Sequence, residues 1–238
     1  MAPPGPRLSG DPGGTPVAIT LVQGAVPRAE RWDPRAAAAN FERYLELSAL
    51  GPDERPVLIL WPELAMEFYV EGDARLRRQL GRVARDGTSL LAGGLGATRR
   101  PGDEAPVPTN AVFLVESGSL RARYDKTQLI PFAERLPLGL GRLFGESGFY
   151  PGSSADPLPT SAGPVGILLC SEALTPALAR ARIAAGSQLL ANPANDDWFG
   201  SHGAARQALT AARSRAIETR RWGVRPTPTR LTAANDPS

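Results

Sequence analysis

The chain is 238 residues long, carries a formal net charge of +3, and contains one cysteine and one histidine. The length suits a single domain with a substantial core, and so small a charge gives no argument for nucleic acid. Lone Cys170 and His202 exclude an intramolecular disulfide, a Cys- or His-based metal cluster and, His202 aside, Ser-His-Asp or Cys-His catalysis.

Residues 1–16, MAPPGPRLSGDPGGTP, are rich in Pro and Gly and lack an apolar h-region. They predict a flexible leader, not a signal peptide. VAITLVQG, at 17–24, is a β-branched apolar run and predicts a buried strand. Asp33 then offers an N-cap with Pro34 at the first helical position, and Phe41, Leu45 and Ala49 recur at helical spacing, predicting a helix over 34–50. PVLILWPE is the next strand, DARLRRQLGRVARDG an amphipathic helix closed by Gly87, and SLLAGG a third strand.

A polar loop spans 98–110. NAVFLVESGSLRARYDK then reads as a hairpin turning at Ser117–Ser119. Residues 129–164 are irregular and dense in Pro and Gly, the composition of a lid or binding loop. VGILLCSE is a strand, TPALARARIAAG a helix, SQLLANPAND a strand entering a loop, and SHGAARQALTAARSRAIETRRWG the last long helix. The tail VRPTPTRLTAANDPS loses periodicity. Strands that are continuous apolar runs, alternating with helices, predict an α/β fold with covered sheets. No apolar run reaches the ~18 residues of a membrane span, so the chain as written predicts a soluble protein.

Three polar residues stand just past apolar strands: Glu63 after VLILWP, Lys126 after RARYD, and Cys170 at the end of VGILL. Strand ends aim side chains from a rigid sheet into a cleft. A thiol is a strong nucleophile once ionised, a carboxylate can take its proton, and an ammonium can stabilise an oxyanion. Lys126 is also the only lysine in a chain whose other basic side chains are all arginine. Each residue alone suits a plainer role: a buried small hydrophobe, a loop carboxylate, a solvated charge.

The blocks LILWPE, RYDKTQLIPFAERLPL, GILLCSE and NPANDDWFG, in this order, resemble the carbon-nitrogen hydrolase (nitrilase) superfamily, and more closely its apolipoprotein N-acyltransferase branch. LVQGAVPRAERWDP and ARSRAIETRRW extend the resemblance over about 17–225. The resemblance implies a nitrilase-like α-β-β-α sandwich and a Glu63-Lys126-Cys170 triad without metal or cofactor. Glu134 and Glu172 match supporting glutamates that orient Lys126 or hold the base. Trp32 matches an active-site tryptophan, and Trp198 and Phe199 either pack or line an acyl pocket. Leu136, Leu138, Leu140, Leu143, Phe144 and Phe149 either form an apolar lid or pack on the loop's own core.

The implied reaction moves an acyl chain from a phospholipid donor, through a Cys170 thioester, to the N-terminal amine of a diacylglyceryl-cysteine apolipoprotein acceptor. It implies membrane contact at the periplasmic face of a bacterial inner membrane. Where the branch continues into further strands, Pro226 and Pro228 predict an irregular tail over 226–238 and a sheet lacking its last strands. CSE stands where Cys-Tyr-Glu is usual, and Ala133 where glycine is common. The alternatives are a soluble amidase or nitrilase-type hydrolase with the same triad, an inactive remnant, or a nucleic-acid binder using the arginines of the last helix. That helix suits a solvated face better and has no aromatic stacking pattern beside it.

Overall fold

The computed structural model describes residues 16–30, 33–49, 56–85, 87–99, 105–135, 148–199 and 202–237. Six strands form one sheet: β1 (Ile19–Leu21), β2 (Leu58–Leu60), β3 (Met66–Tyr69), β4 (Ser89–Thr98), β5 (Val107–Glu116) and β6 (Ser119–Asp125), in the order β1-β2-β4-β5-β6 with β3 also beside β4. Five form the second: β7 (Leu158–Thr160), β8 (Gly163–Ile167), β9 (Leu189–Ala191), β10 (Gly223–Arg225) and β11 (Ala233–Asn235), in the order β11-β10-β9-β8-β7. β1, β2 and β4 run parallel, as do β8, β9 and β10, while the remaining partners along each path are antiparallel.

Side-chain alternation explains why the strands read as unbroken apolar runs. Leu58 and Leu60 face a core shared with Val165, Ile167 and Leu169 of the other sheet. Ile59 and Trp61 face the opposite way, onto Phe41 and Tyr44 of α1 (Pro34–Ala49) and Leu80 of α2 (Ala74–Val83). On the second sheet Leu168 and Leu190 point outward onto Ala179 of α3 (Pro176–Ala184). α4 (His202–Thr219) packs beside α3 and against β10. The layers are therefore helix, sheet, sheet, helix, and both faces of each central strand are dry. Each fully buried leucine contributes about 1.5–3 kcal/mol relative to exposure.

Local signals behave as expected at several ends. The Asp33 carboxylate accepts the Arg35 amide at 2.9 Å, and that of Asp73 accepts Arg75 and Leu76 at the start of α2. The β5–β6 hairpin turns at Ser117 and Gly118, both at positive φ, as a tight twisted hairpin requires. The structure differs elsewhere. β3 lies where no strand is expected, because MEFY is neither long nor alternating. β7 falls inside the stretch expected to be irregular, stabilised by pairing with β8.

The chain after Arg225 also differs from the expected irregular tail and missing strands. β10 runs parallel to β9, and β11 returns antiparallel on β10. Pro226 and Pro228 interrupt neither, since both lie between the two strands. Proline lacks a donor but keeps its carbonyl: Pro226 O accepts the Ala194 amide at 3.1 Å, and Pro228 O accepts that of Ala25 at 2.7 Å.

Candidate active site

β2 carries the chain to Trp61, and Pro62 then ends the ladder, leaving Glu63 at the sheet's edge with only 4% of its surface exposed. The approach is tight. A Cβ on Gly93 of β4 would stand 2.1 Å from the Pro62 carbonyl oxygen and 2.9 Å from the Glu63 Cα. Only glycine lets the Pro62–Glu63 backbone cross β4 at this distance. A shallow recess touches Glu63 and is lined also by Val26, Asn40, Tyr44 and Pro228. Neither Lys126 nor Cys170 lines it.

Lys126 follows β6 directly and is wholly buried. Its Nζ lies 2.8 Å from Glu134 Oε1 and 3.3 Å from Glu63 Oε1. Asn110 of β5 completes the cluster: its Nδ2 donates to Glu63 Oε1 at 2.8 Å and to Glu134 Oε1 at 3.2 Å, while its carbonyl accepts the Lys126 amide at 2.8 Å. Glu134 is fixed further by the Ile130 amide on Oε2 at 2.8 Å. Oε1 of Glu63 is occupied by two donors, and no nitrogen or oxygen donor reaches its buried Oε2, which leaves that oxygen as the acceptor for another proton.

Cys170 stands three residues beyond β8, at the first position of a single 3₁₀ turn (Cys170–Leu174). Its φ of 50° is left-handed, a conformation that costs a non-glycine residue about 1–2 kcal/mol. The turn is held by neighbours: the Cys170 amide donates to Pro193 O at 2.8 Å, and the Cys170 carbonyl accepts Asn192 Nδ2 at 3.0 Å.

Burial and charge together set the protonation of the group. Burial pushes the Cys170 thiol up, and the Glu63 carboxylate pushes it further, while Lys126 and the Asn195 amide pull it only partly back. Burial alone would lower the Lys126 ammonium, but Glu63, then Cys170, then Glu134 outweigh it and hold it above the ordinary lysine value. At neutral pH the site therefore holds a neutral thiol beside an ammonium, so thiolate formation requires a proton acceptor in the site.

Glu172, fully buried, works on the backbone. Its carboxylate accepts the amides of Leu169 at 2.7 Å, Thr127 at 2.8 Å and Gln128 at 3.0 Å, and the Thr127 and Tyr124 hydroxyls. The Tyr124 hydroxyl in turn accepts Arg182 Nη2 at 2.5 Å. Glu172 thus clamps the cysteine's turn to the segment after the lysine; no bond links it to the Lys126 ammonium or the Glu63 carboxylate. Glu134 contacts Lys126 directly.

Of the other expected residues, Trp32 and Leu136, Leu138, Leu140, Leu143 and Phe144 lie outside the described residues. Trp198 and Phe199 sit in a 3₁₀ turn (Asp196–Phe199) whose side chains there also lie outside the description. Phe149 is partly buried.

The carbon-nitrogen hydrolase family model matches residues 18–236. The chain belongs to the carbon-nitrogen hydrolase family. Among curated relatives, the apolipoprotein N-acyltransferase of Geobacter metallireducens is 33% identical over 97% of this chain and 46% of its own length. That of Azotobacter vinelandii is 34% identical over 95% of this chain and 45% of its own. The chain thus spans about half the length of these relatives. Among solved structures, a carbon-nitrogen hydrolase from Helicobacter pylori G27 superposes with a TM-score of 0.65 at 19% identity, covering 89% of this chain and 73% of that one. Nit3 of Saccharomyces cerevisiae, a member of branch 10 of the nitrilase superfamily, gives 0.64 at 19% identity over 93% and 82%. These two likenesses show that the sandwich is the nitrilase fold.

Within this carbon-nitrogen hydrolase domain, sequence reasoning passed over Asn110 and Asn192. Both left a signal: an amide directly before or directly after an apolar run, in TNAVFLVE and LLANP, where an unpaired polar group would be costly. Arg182 left none, since arginine fills every helix surface of this chain.

Proposed function

We propose that this domain transfers an acyl chain from a phospholipid to the N-terminal amine of a diacylglyceryl-cysteine lipoprotein, through a thioester on Cys170. The carrying observation is the convergence of Glu63, the chain's only lysine and its only cysteine at one buried site. The two acyltransferase relatives support this choice of substrates. The proposal places the domain at the periplasmic face of a bacterial inner membrane, where both substrates reside.

Glu63 Oε2 takes the thiol proton as Sγ attacks the ester carbonyl. Lys126 Nζ and a backbone amide beside the nucleophile receive the oxyanion. The amide of Cys170 is committed to Pro193 O, and this reading assigns the donor role to the next one, of Ser171. One such donor is worth roughly 3–4 kcal/mol in the transition state. Collapse breaks the C–O bond, and the departing alcohol takes the proton back from Glu63, releasing lysophospholipid. The lipoprotein amine then attacks the thioester, yields its proton to Glu63, forms the C–N bond and expels the sulfur, which is reprotonated.

Intact-mass measurement after incubation with phospholipid vesicles tests this. The expected result is one acyl adduct on the wild type, none on Cys170→Ala, and loss of the adduct on adding a diacylglyceryl-cysteine peptide. Ammonia release from small amides without any phospholipid adduct would overturn it in favour of an amidase.

A further inference from the structure

Behind the nucleophile lies a buried polar cluster that the proposed chemistry does not use. Asn192, directly after β9, donates its Nδ2 protons to the main-chain carbonyls on either side of Leu169, at the start of the turn: those of Leu168 and Cys170. Its Oδ1 accepts Arg225 Nη1, and Arg225 Nη2 pairs with Asp196 Oδ1 at 2.5 Å. Arg225 is wholly buried and Asp196 only 1% exposed. A buried ion pair is seldom better for stability than apolar packing, so this one calls for a role in orientation.

The atom being held supplies that role. The peptide bonds are trans, and in a trans peptide the carbonyl and the following N–H point in opposite directions. Anchoring the Cys170 oxygen toward Asn192 therefore turns the Ser171 N–H away from Asn192 and fixes its direction. Cys170 is at positive φ, a conformation that persists only where surroundings over-determine it. Without the anchor this peptide can rotate.

We propose that Asn192, buttressed by Arg225, is a positioning residue for acyl transfer: by holding the Cys170 carbonyl it aims the Ser171 amide at the oxyanion formed on the acyl carbon. This rests on the acyl-transfer reading above. The pair touches neither the sulfur nor the Lys126 ammonium, so the effect is confined to steps that create an oxyanion.

The test compares two reactions of the same sulfur. p-Nitrophenyl butyrate forms a thioester through a tetrahedral oxyanion: the S–C bond forms, p-nitrophenolate leaves and the thiol proton goes to Glu63. Iodoacetamide alkylates the sulfur by direct displacement of iodide, with no oxyanion. For Asn192→Ala the acylation rate is expected to fall roughly 10²-fold, the loss typical of one oxyanion donor, with alkylation unchanged within about threefold. Arg225→Lys, which keeps the charge facing Asp196 but lacks the fork to reach Asn192 as well, is expected to show the same split more weakly, and carries the comparison if Asn192→Ala does not fold. Equal loss of both reactions, or of neither, overturns the proposal. A wild-type protein that alkylates but never acylates overturns the acyl-transfer reading, and this inference with it.

Discussion

The Glu172 carboxylate accepts the main-chain amide of Thr127 at 2.8 Å, 45 positions earlier in the chain. This bond joins the two sheets at the level of the site. Thr127 follows the lysine on the first sheet, and Glu172 lies in the cysteine's turn on the second. Replacing Glu172 by Gln removes the charge and turns a donor toward amides that need an acceptor. The glutamine oxygen can replace only one of the two carboxylate oxygens, so either the Leu169 amide or the Thr127 and Gln128 amides face a donor, and a loss of about 2–4 kcal/mol is expected from buried hydrogen bonds to a charged group. Urea denaturation measures this, and the acyl adduct should vanish in parallel.

Lys126→Arg preserves charge and should still abolish acylation by about 10²-fold or more, because the slot between Glu63 and Glu134 holds one ammonium with no exposed surface. Lys126→Met is expected to destabilise by roughly 3–5 kcal/mol, since it removes the cation between buried Glu63 and part-buried Glu134. Rapid-quench intact mass and chemical denaturation separate the two effects. Full activity in the arginine variant would refute the assignment of Lys126 to the oxyanion.

Alkaline pH should weaken the fold. The Cys170 thiol, ordinarily titrating at 9.0, is raised first by burial and then by Glu63; Tyr124, ordinarily 10.0, by burial and then Glu172; Lys126, ordinarily 10.5, is raised because its carboxylate partners outweigh burial. All three folded-state values exceed the unfolded ones, so above pH 9 the folded chain holds more protons than the unfolded one. Their contribution is fully present below the unfolded values and is lost as pH rises toward the folded ones. Denaturation midpoints should therefore be insensitive to these groups between pH 7 and 8 and fall from about pH 9 upward. Cys170→Ala should flatten the earliest part of the fall, and an unchanged slope in that variant would contradict the thiol's share.

Gly93→Ala should displace Glu63 without changing Glu63, Lys126 or Cys170 chemically. The added methyl meets backbone that cannot swing aside, so a destabilisation of about 1–3 kcal/mol is expected. Acylation should fall while Cys170 alkylation by iodoacetamide is retained. An unchanged acylation rate would mean that the Pro62–Glu63 backbone has more freedom than the contact allows.

Much of the site was legible because its members are compositional outliers or strand-end residues. Lys126 and Cys170 are unique in the chain, and Glu63 follows a proline that ends an apolar run. The second sheet's last strands were not legible. GVR and AAN carry no periodic signal of their own, and their identity as strands comes from pairing: β10 adds to the edge of β9, and β11 then adds to β10. Glu172's partners were equally hidden: a glutamate two positions after a cysteine gives no indication that it will collect amides from another sheet.

The sequence by itself determined the α/β alternation, the helix starts at Asp33 and Asp73, the hairpin at Ser117–Gly118, and the three chemical types that meet at the site. Those follow from forces acting over a few residues: backbone sterics, capping and the burial pattern of a strand. Tertiary structure alone decided that Glu63 Oε2 stays open while Oε1 is shared by Lys126 and Asn110, that Glu172 grips backbone, and that Pro226 and Pro228 serve as acceptors between strands. Each is a contact between residues far apart in sequence, and such partners are chosen only when two sheets have packed and every buried polar group must find whatever lies within reach.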